Sequence, residues 1–375
     1  MISVSRKGRN RRIRKGTHPA ATAVLAAALY GISAPASKLL LAEIPPVLLA
    51  ALLYLGAGLG MLVVNLAGGR LRKERAEAGM TRKELPGAVG MILLDIAAPV
   101  LLMLGLSMST AANASLLNNF EIVATSLIAL LLFKEAVGRR MWVAIALITL
   151  SSIVLTVQGP DGLSFSPGSV LVLAACVCWG FENNLTRTLS LKNPAQIVVV
   201  KGLGSGTGSL LIAFGLREYS QNTLAIILAL LLGFVAYGLS IFFYIKAQRG
   251  MGAARTSAYY AAAPFIGVAV SWLVLQEGMT RTFPAALLLM LAGAYFAVTE
   301  KHAHEHVHPE QTHEHMHSHQ DGHHAHDHTP GITGTHSHGH THDEGTHGHP
   351  HLPDMHHTHG HAHKRGKKSK PGGQT

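Results

Sequence analysis

AANASLLNNFEIVATSLIALLLFKE, residues 111–135, and AARTSAYYAAAPFIGVAVSWLVLQE, residues 253–277, are two copies of one pattern. Laid over each other they match Ser115 with Ser257, superpose two apolar runs and end together on Glu135 and Glu277. A second pair of landmarks keeps nearly the same offset: Tyr30-Gly31 followed by Lys38, and Trp179-Gly180 followed by Arg187. The chain therefore reads as two related halves. With five membrane helices in each, an odd number, the halves enter the bilayer in opposite orientations. Inverted repeats of this kind hold a substrate site near the midplane, between the halves.

Composition supports a membrane setting. Charged residues make up 14% of the chain and hydrophobic ones 48%. Runs such as Val24–Leu41 and Ile122–Phe133 are of membrane-core character. A crossing needs about 20 apolar helical residues, so residues 18–300 accommodate about ten with short loops. The alternation of a transmembrane strand is absent, and helices satisfy their own backbone groups in lipid. The expected spans are about 19–41, 46–67, 86–106, 110–133, 140–158, 169–190, 194–216, 223–246, 253–276 and 282–299. The expected class is an all-α integral membrane protein. A basic N-terminus (1–17) precedes repeats at 18–158 and 168–300, and a histidine-rich tail (301–375) follows them.

The net charge of +11 does not indicate nucleic acid, because the basic residues are distributed as orientation signals. They gather at Arg6–Lys15, at Arg70–Lys83, at Lys134, Arg139 and Arg140, at Lys192, at Lys246 and Arg249, and at Lys364–Lys370. The intervening loops carry few. Both termini are therefore expected in the cytoplasm, and the protein in the inner or plasma membrane. The basic start and Ala34-Pro35-Ala36 imitate a signal peptide. The later counterpart at Trp179-Gly180 argues for a retained first helix instead.

The segment from Thr110 to Glu121, ending Phe133-Lys134-Glu135, together with Ala262-Ala263-Pro264-Phe265 through Gln276-Glu277-Gly278, resembles the EamA-type members of the drug/metabolite transporter superfamily. That family usually carries Glu-Pro in this helix. Here Glu121-Ile122 keeps one half of the pair and Ala263-Pro264 the other. The resemblance covers about residues 19–300 and implies ten helices and secondary transport. It implies no particular substrate, because the family is chemically broad.

Ionisable groups deep in a membrane segment cost about 2.5–3.5 kcal/mol each on insertion scales, so each calls for a function. Asp95, Glu121 and Glu182 sit near the middles of the third, fourth and sixth helices. Ser115, Asn118, Glu121 and Thr125 follow a spacing of three to four, which forms a stripe on one helix face. Trp179, Glu182, Asn183 and Thr186 do the same on the sixth helix. The two stripes either line one cavity or join helices by hydrogen bonds. The candidates for substrate binding or proton coupling are Glu121, Asp95, Glu182, Asn118, Asn183 and Ser115, with Glu121 foremost as the proton carrier. Lys201 either pairs with Glu182 or Asp95, or snorkels. Lys38 and Arg187 lie near helix ends, where snorkelling is the simpler reading. Tyr237, Tyr259, Tyr260 and Trp272 either stack on a substrate or pack. Cys176 and Cys178, two apart on a helix, read as packing residues. No phosphate-binding loop or nucleophile–base set is present, so neither direct ATP drive nor an enzyme is expected.

Of the 25 histidines only His18 lies outside the tail. His302, His304, His306, His308, His313, His315, His317, His319, His323, His324, His326, His328, His336, His338, His340 and His342 are candidate metal ligands, with further clusters at 347–351 and 356–363. Clustered imidazoles suit nickel, zinc, cobalt and copper ions, and no folded zinc-module spacing is present. With so few core-forming residues the tail is expected to be disordered without metal; its other reading is a cationic tether to anionic headgroups. Taken together, the sequence points to a secondary transporter with no cofactor required for transport. It would move a small metabolite or a metal ion, more readily outward. A membrane-anchored metal buffer or sensor that translocates nothing is the alternative. No nucleic-acid partner is implied, and the oligomeric state stays open.

Overall fold

A computed structural model describes residues 19–71, 84–133, 137–158, 164–186, 193–251, 256, 259–277, 281–299, 303–308, 311–317, 336–342 and 345–350. The basic N-terminal cluster, the loop 72–83, Lys134, Glu135, Arg187, Lys192 and Ser257 lie outside these residues. So do His302, His319, His323, His324, His326, His328 and the clusters beyond Pro350.

The helices in chain order are α1 (Pro19–Gly31), α2 (Ser33–Leu40), α3 (Pro46–Leu71), α4 (Leu85–Ser107), α5 (Ala111–Leu117), α6 (Phe120–Phe133), α7 (Arg139–Thr156), α8 (Pro167–Thr186), α9 (Pro194–Gly215) and α10 (Thr223–Leu232). A π-helical stretch, Gly233–Leu239, leads from α10 into α11 (Ser240–Met251). Then come α12 (Ala263–Val270), continued by a π turn Ser271–Leu275, and α13 (Phe283–Val298). Eight of the resulting segments are long and apolar enough to cross a membrane, and Ala263–Leu275 and Phe283–Val298 are shorter apolar helices. A two-residue pairing, β1 (Val157–Gln158) with β2 (Ser164–Phe165), joins the halves.

Large apolar side chains, among them Leu131, Leu211, Leu224, Leu273 and Leu288, are exposed. In water such a surface would drive aggregation, whereas in a bilayer it is the required outer face. The protein is a multi-pass membrane protein. Most of its clustered buried hydrophobic residues belong to one large cluster drawn from both halves, including Leu49, Leu53, Leu102, Leu117, Ile148, Trp179, Tyr237 and Phe283, with two small clusters around Met61 and Met91.

The packing obeys a pseudo-two-fold relation. α3 packs on its repeat-equivalent α9 and α7 on α13, while the fourth and ninth spans meet where α5 packs on α12. The remaining contacts come in mirrored pairs: α4 with α8 is matched by α11 with α1, and α6 with α8 by α12 with α1. The α3–α9 contact is tight because glycines meet. A Cβ on Gly202 would stand 2.4 Å from the Gly58 nitrogen, and one on Gly58 2.6 Å from the Leu203 nitrogen. Without a water-driven force between helices, such small-residue contacts let backbones approach and gain dispersion energy.

Several spans expected as continuous helices are interrupted. Pro35 has no N–H for the Gly31 carbonyl and crowds it, so the first span divides between α1 and α2. The fourth span turns at Asn118–Asn119, where Glu121 and Ile122 close short bonds to the Asn118 and Asn119 carbonyls. The ninth span turns at Ala261–Ala262, the equivalent place in the second copy, just before Pro264. Interruptions at matched positions are how inverted-repeat transporters expose backbone groups to a site.

Disorder without metal is the expectation for the tail; among the described residues its backbone carries four strand segments: β3 (Ala303–His308), β4 (Gln311–His317), β5 (His336–His342) and β6 (Gly345–Pro350). β3 pairs with β6 and β4 with β5, both antiparallel. The physical reason lies in the alternation of histidine with other residues. A period of two suits a strand, a pattern that composition alone does not register.

Candidate functional site between the repeats

Asp95 on α4, Glu182 on α8 and Lys201 on α9 form a buried ion triad. The Lys201 ammonium lies 3.0 Å from Asp95 Oδ2 and 3.1 Å from Glu182 Oε1. Tyr54 on α3 donates its hydroxyl to Asp95 Oδ1 at 3.1 Å. Lys201 is thus an ion-pair partner, the first of its two expected roles. Four helices from both halves converge on it.

Glu121 belongs to a second cluster. Its Oε1 accepts a 2.7 Å hydrogen bond from Asn183 Nδ2, which also reaches Thr125 Oγ1 at 3.3 Å. Asn184 holds the same junction through the Thr125 carbonyl at 3.1 Å and the Gly180 carbonyl at 2.8 Å. Glu121 keeps some accessible surface, whereas Glu182 and Asp95 are buried. The second stripe joins helices: Asn183 bonds across the halves, while Glu182, one residue earlier, turns to Lys201. Thr186 has no described side chain.

Beside this junction a small cavity is lined by Tyr30, Gly31, Ser33, Ala34, Ser115, Asn118, Ala263 and Pro264. It has room for about one water molecule. Ser115 Oγ and Asn118 Oδ1 are buried there with no hydrogen-bond partner. Unpaired buried polar atoms cost about 1–3 kcal/mol, so a pair of them asks for an explanation. Gly267 presses against this point, where a Cβ would lie 2.6 Å from Ser115 Oγ and 2.9 Å from the Gly31 carbonyl. Tyrosines surround it in a chain. Tyr54 meets Tyr237 at 5.6 Å, Tyr237 meets Tyr30 edge-on at 5.8 Å, Tyr30 stacks on Tyr260 at 5.7 Å, and Tyr260 meets Tyr244 at 4.9 Å. Of the aromatics singled out in the sequence, Tyr237 and Tyr260 join this chain, whereas Tyr259 and Trp272 are exposed.

One end of the bundle is tied shut across the halves. Glu277 accepts from the backbone N–H groups of Ala111 at 2.9 Å and Ala112 at 3.0 Å, capping α5. Glu218 accepts from the Leu48 N–H at 2.8 Å, near the start of α3. In both cases a second-half carboxylate caps a first-half helix, where bare N–H groups and the helix dipole favour negative charge. Among the described residues the two non-glycine positions with left-handed backbone, Arg217 (φ 57°) and Gln276 (φ 49°), each stand immediately before one of these glutamates. A costly conformation is thus used twice to aim a cap. At the same end Lys38 donates to the carbonyls of Leu106 at 2.7 Å and Ser109 at 2.6 Å. Lys38 is a tie between segments, not a snorkelling side chain. Glu218 gave no signal in the sequence. Glu277 appeared there only as the last landmark of the repeat.

Among the described residues with side chains, no group of three or more His, Cys, Asp or Glu is arranged to hold a metal ion. Cys176 packs beside the Leu117 carbonyl at 3.6 Å, and Cys178 is half-buried.

The EamA-like transporter family model matches residues 19–157 and 166–299, one copy per half, and the chain belongs to that family. An uncharacterized transporter of Methanothermobacter thermautotrophicus is 26% identical over 288 residues, spanning 72% of this chain and 83% of that protein. A solved structure described only as "Crystal structure of protein" superposes with a TM-score of 0.54 at 20% identity, over 74% of this chain and 95% of its own. That last likeness concerns the fold alone. The chain is a membrane transporter of the EamA-like family, built from two repeats.

Proposed function

We propose that the protein is a secondary active transporter of ten crossings that moves a small solute by alternating access through the Ser115–Asn118–Glu121 junction. The observation that carries this is the cavity. Two buried polar groups without partners, Ser115 Oγ and Asn118 Oδ1, face it beside a carboxylate that bonds across the halves. Glu121 is the proton-coupling group, because it alone of the three carboxylates has no lysine partner among the described contacts. Asp95 and Glu182 position Lys201 and fix the junction. The Glu277 and Glu218 caps close the end opposite the termini, and access from that side requires them to release. Both termini face the cytoplasm of the inner membrane, and efflux is the favoured direction.

The tail binds divalent nickel, zinc, cobalt or copper ions. Support for this comes from the strand register, which sets His313, His315 and His317 opposite His340, His338 and His336. It likewise sets His304 and His306 opposite His349 and His347. The second reading is a membrane-anchored metal buffer.

Total cell metal under nickel, cobalt or zinc load tests both readings, with full-length protein, a chain stopped after Glu300, and Glu121→Gln. A metal lowered by the full-length protein but not by Glu121→Gln identifies an exporter of that ion. Metal raised only when the tail is present, whatever stands at 121, identifies a trap. The transported solute is then organic.

A further inference from the structure

We propose that the transported solute carries a primary ammonium group, which seats in the cavity between Tyr30, Ser115 and Asn118 and is held by Glu121. This rests on the transport reading above and narrows its substrate to a class.

The cavity is water-sized, and an –NH3+ head occupies about the space of a water molecule. Its polar lining includes oxygens able to accept hydrogen bonds. Ser115 Oγ and Asn118 Oδ1 have no partner. The Gly31 carbonyl lines the same space, and Pro35, four residues on, has no N–H to give it. A primary ammonium has three donors and no acceptor, so three oxygens around a water-sized space match it group for group. Glu121, one helical turn beyond Asn118, supplies the countercharge, and its bond from Asn183 occupies Oε1 only. Tyr30 lies within electrostatic reach of Glu121 and lines the cavity. Tyr260, stacked on Tyr30, extends the aromatic surface. Tyrosine faces attract cations through the ring quadrupole.

Among the described residues the lysines favour this class over an anionic solute. A carboxylate or phosphate solute needs a free cation. Of the lysines described inside the spans, Lys201 is held by two carboxylates, Lys38 by two backbone carbonyls, and Lys246 is exposed near a helix end. A bare divalent metal ion gains little from tyrosine rings and a single carboxylate. The class we assign is an amine with no acidic group.

The test is equilibrium binding to the purified full-length protein in lipid nanodiscs. The probes are 2-phenylethylamine and n-butylamine against 2-phenylethanol (neutral), 3-phenylpropionate (anionic) and phenylalanine (zwitterionic). The expected result is amine binding at least about tenfold tighter than that of the matched alcohol, acid and amino acid, the worth of one charge-assisted contact. Glu121→Gln should lose about tenfold or more for the amines alone. Tyr30→Leu should lose about fivefold, while Tyr30→Phe, which keeps the ring face, should retain affinity. Variants are compared only where gel filtration and thermal unfolding match the wild type, and Tyr30→Phe guards against a folding artefact. Equal binding of alcohol or acid, unchanged affinity in Glu121→Gln, or no binding of either amine overturns the proposal. Glu121-dependent flux of some other solute in proteoliposomes, with no amine binding, refutes the ammonium class and leaves the transport reading standing. Amine binding with no amine counterflow refutes transport and upholds the site.

Discussion

Replacing Lys201 by methionine keeps the length of the side chain and removes its charge, leaving Asp95 and Glu182 buried without their cation. Lys201 lies 3.0 Å and 3.1 Å from the two carboxylates. At an effective dielectric of about 20 each contact is worth about 5 kcal/mol of Coulomb attraction. Most of that is offset by desolvation of the three groups. Breaking a buried pair by deleting one partner typically costs about 3–5 kcal/mol, and the expected loss for Lys201→Met lies in that range. The cost arises in the remaining carboxylates, so removing them as well should relieve it. Asp95→Asn/Lys201→Met/Glu182→Gln should recover most of the stability, because neutral groups bear no comparable desolvation penalty. Glu182→Gln alone should cost less than Lys201→Met, since the Asp95 pair survives, with Tyr54 still bonded to Asp95. The assay is thermal unfolding of the detergent-solubilised protein, followed by tryptophan fluorescence at fixed pH. A Lys201→Met variant that melts with the wild type would refute the reasoning. So would a triple variant less stable than the single one.

Three further outcomes are expected. Gly202→Ala should lower stability by about 1–3 kcal/mol through overpacking, because its Cβ would meet the Gly58 nitrogen at 2.4 Å. Gly215→Ala, with nothing within 4 Å of its Cβ, should not; unfolding curves of the two variants decide this. Glu277→Ala should cost about 1 kcal/mol of cap energy and speed maleimide labelling of Ser109→Cys about fivefold by loosening the closed end. Unchanged labelling would show that this cap is not a tie. Gln276→Gly should preserve closure and raise stability by up to about 1 kcal/mol, since glycine adopts φ 49° without strain; the same unfolding assay reads it.

Much of this architecture was legible in the sequence because hydropathy and repetition are local signals. The spans at 46–67, 86–106, 140–158 and 194–216 were placed to within a few residues of α3, α4, α7 and α9. The two-repeat plan followed from the Ser115/Ser257 and Tyr30/Trp179 landmarks. The breaks in the first and fourth spans were not anticipated, although Pro35 and the Asn118-Asn119 pair were visible. Whether a proline or a pair of asparagines interrupts a membrane helix depends on neighbours that re-satisfy the backbone, and those are tertiary facts. The partition of the carboxylates was equally tertiary. Glu182 and Asn183 are adjacent in sequence yet turn to Lys201 and Glu121 respectively. Glu218, bonded across 170 residues to the Leu48 N–H, left no pattern to read.

The central claim is that Asn118 lines a site reached in turn from each side of the membrane. Cys176 and Cys178, the protein's 2 cysteines, are replaced by alanine to give a cysteine-free background. Asn118→Cys is then exposed to a membrane-impermeant maleimide in right-side-out and in inverted vesicles. The account predicts labelling in both preparations, slowed by the transported solute. Labelling from one side only, or from neither while a surface cysteine reacts, would contradict it.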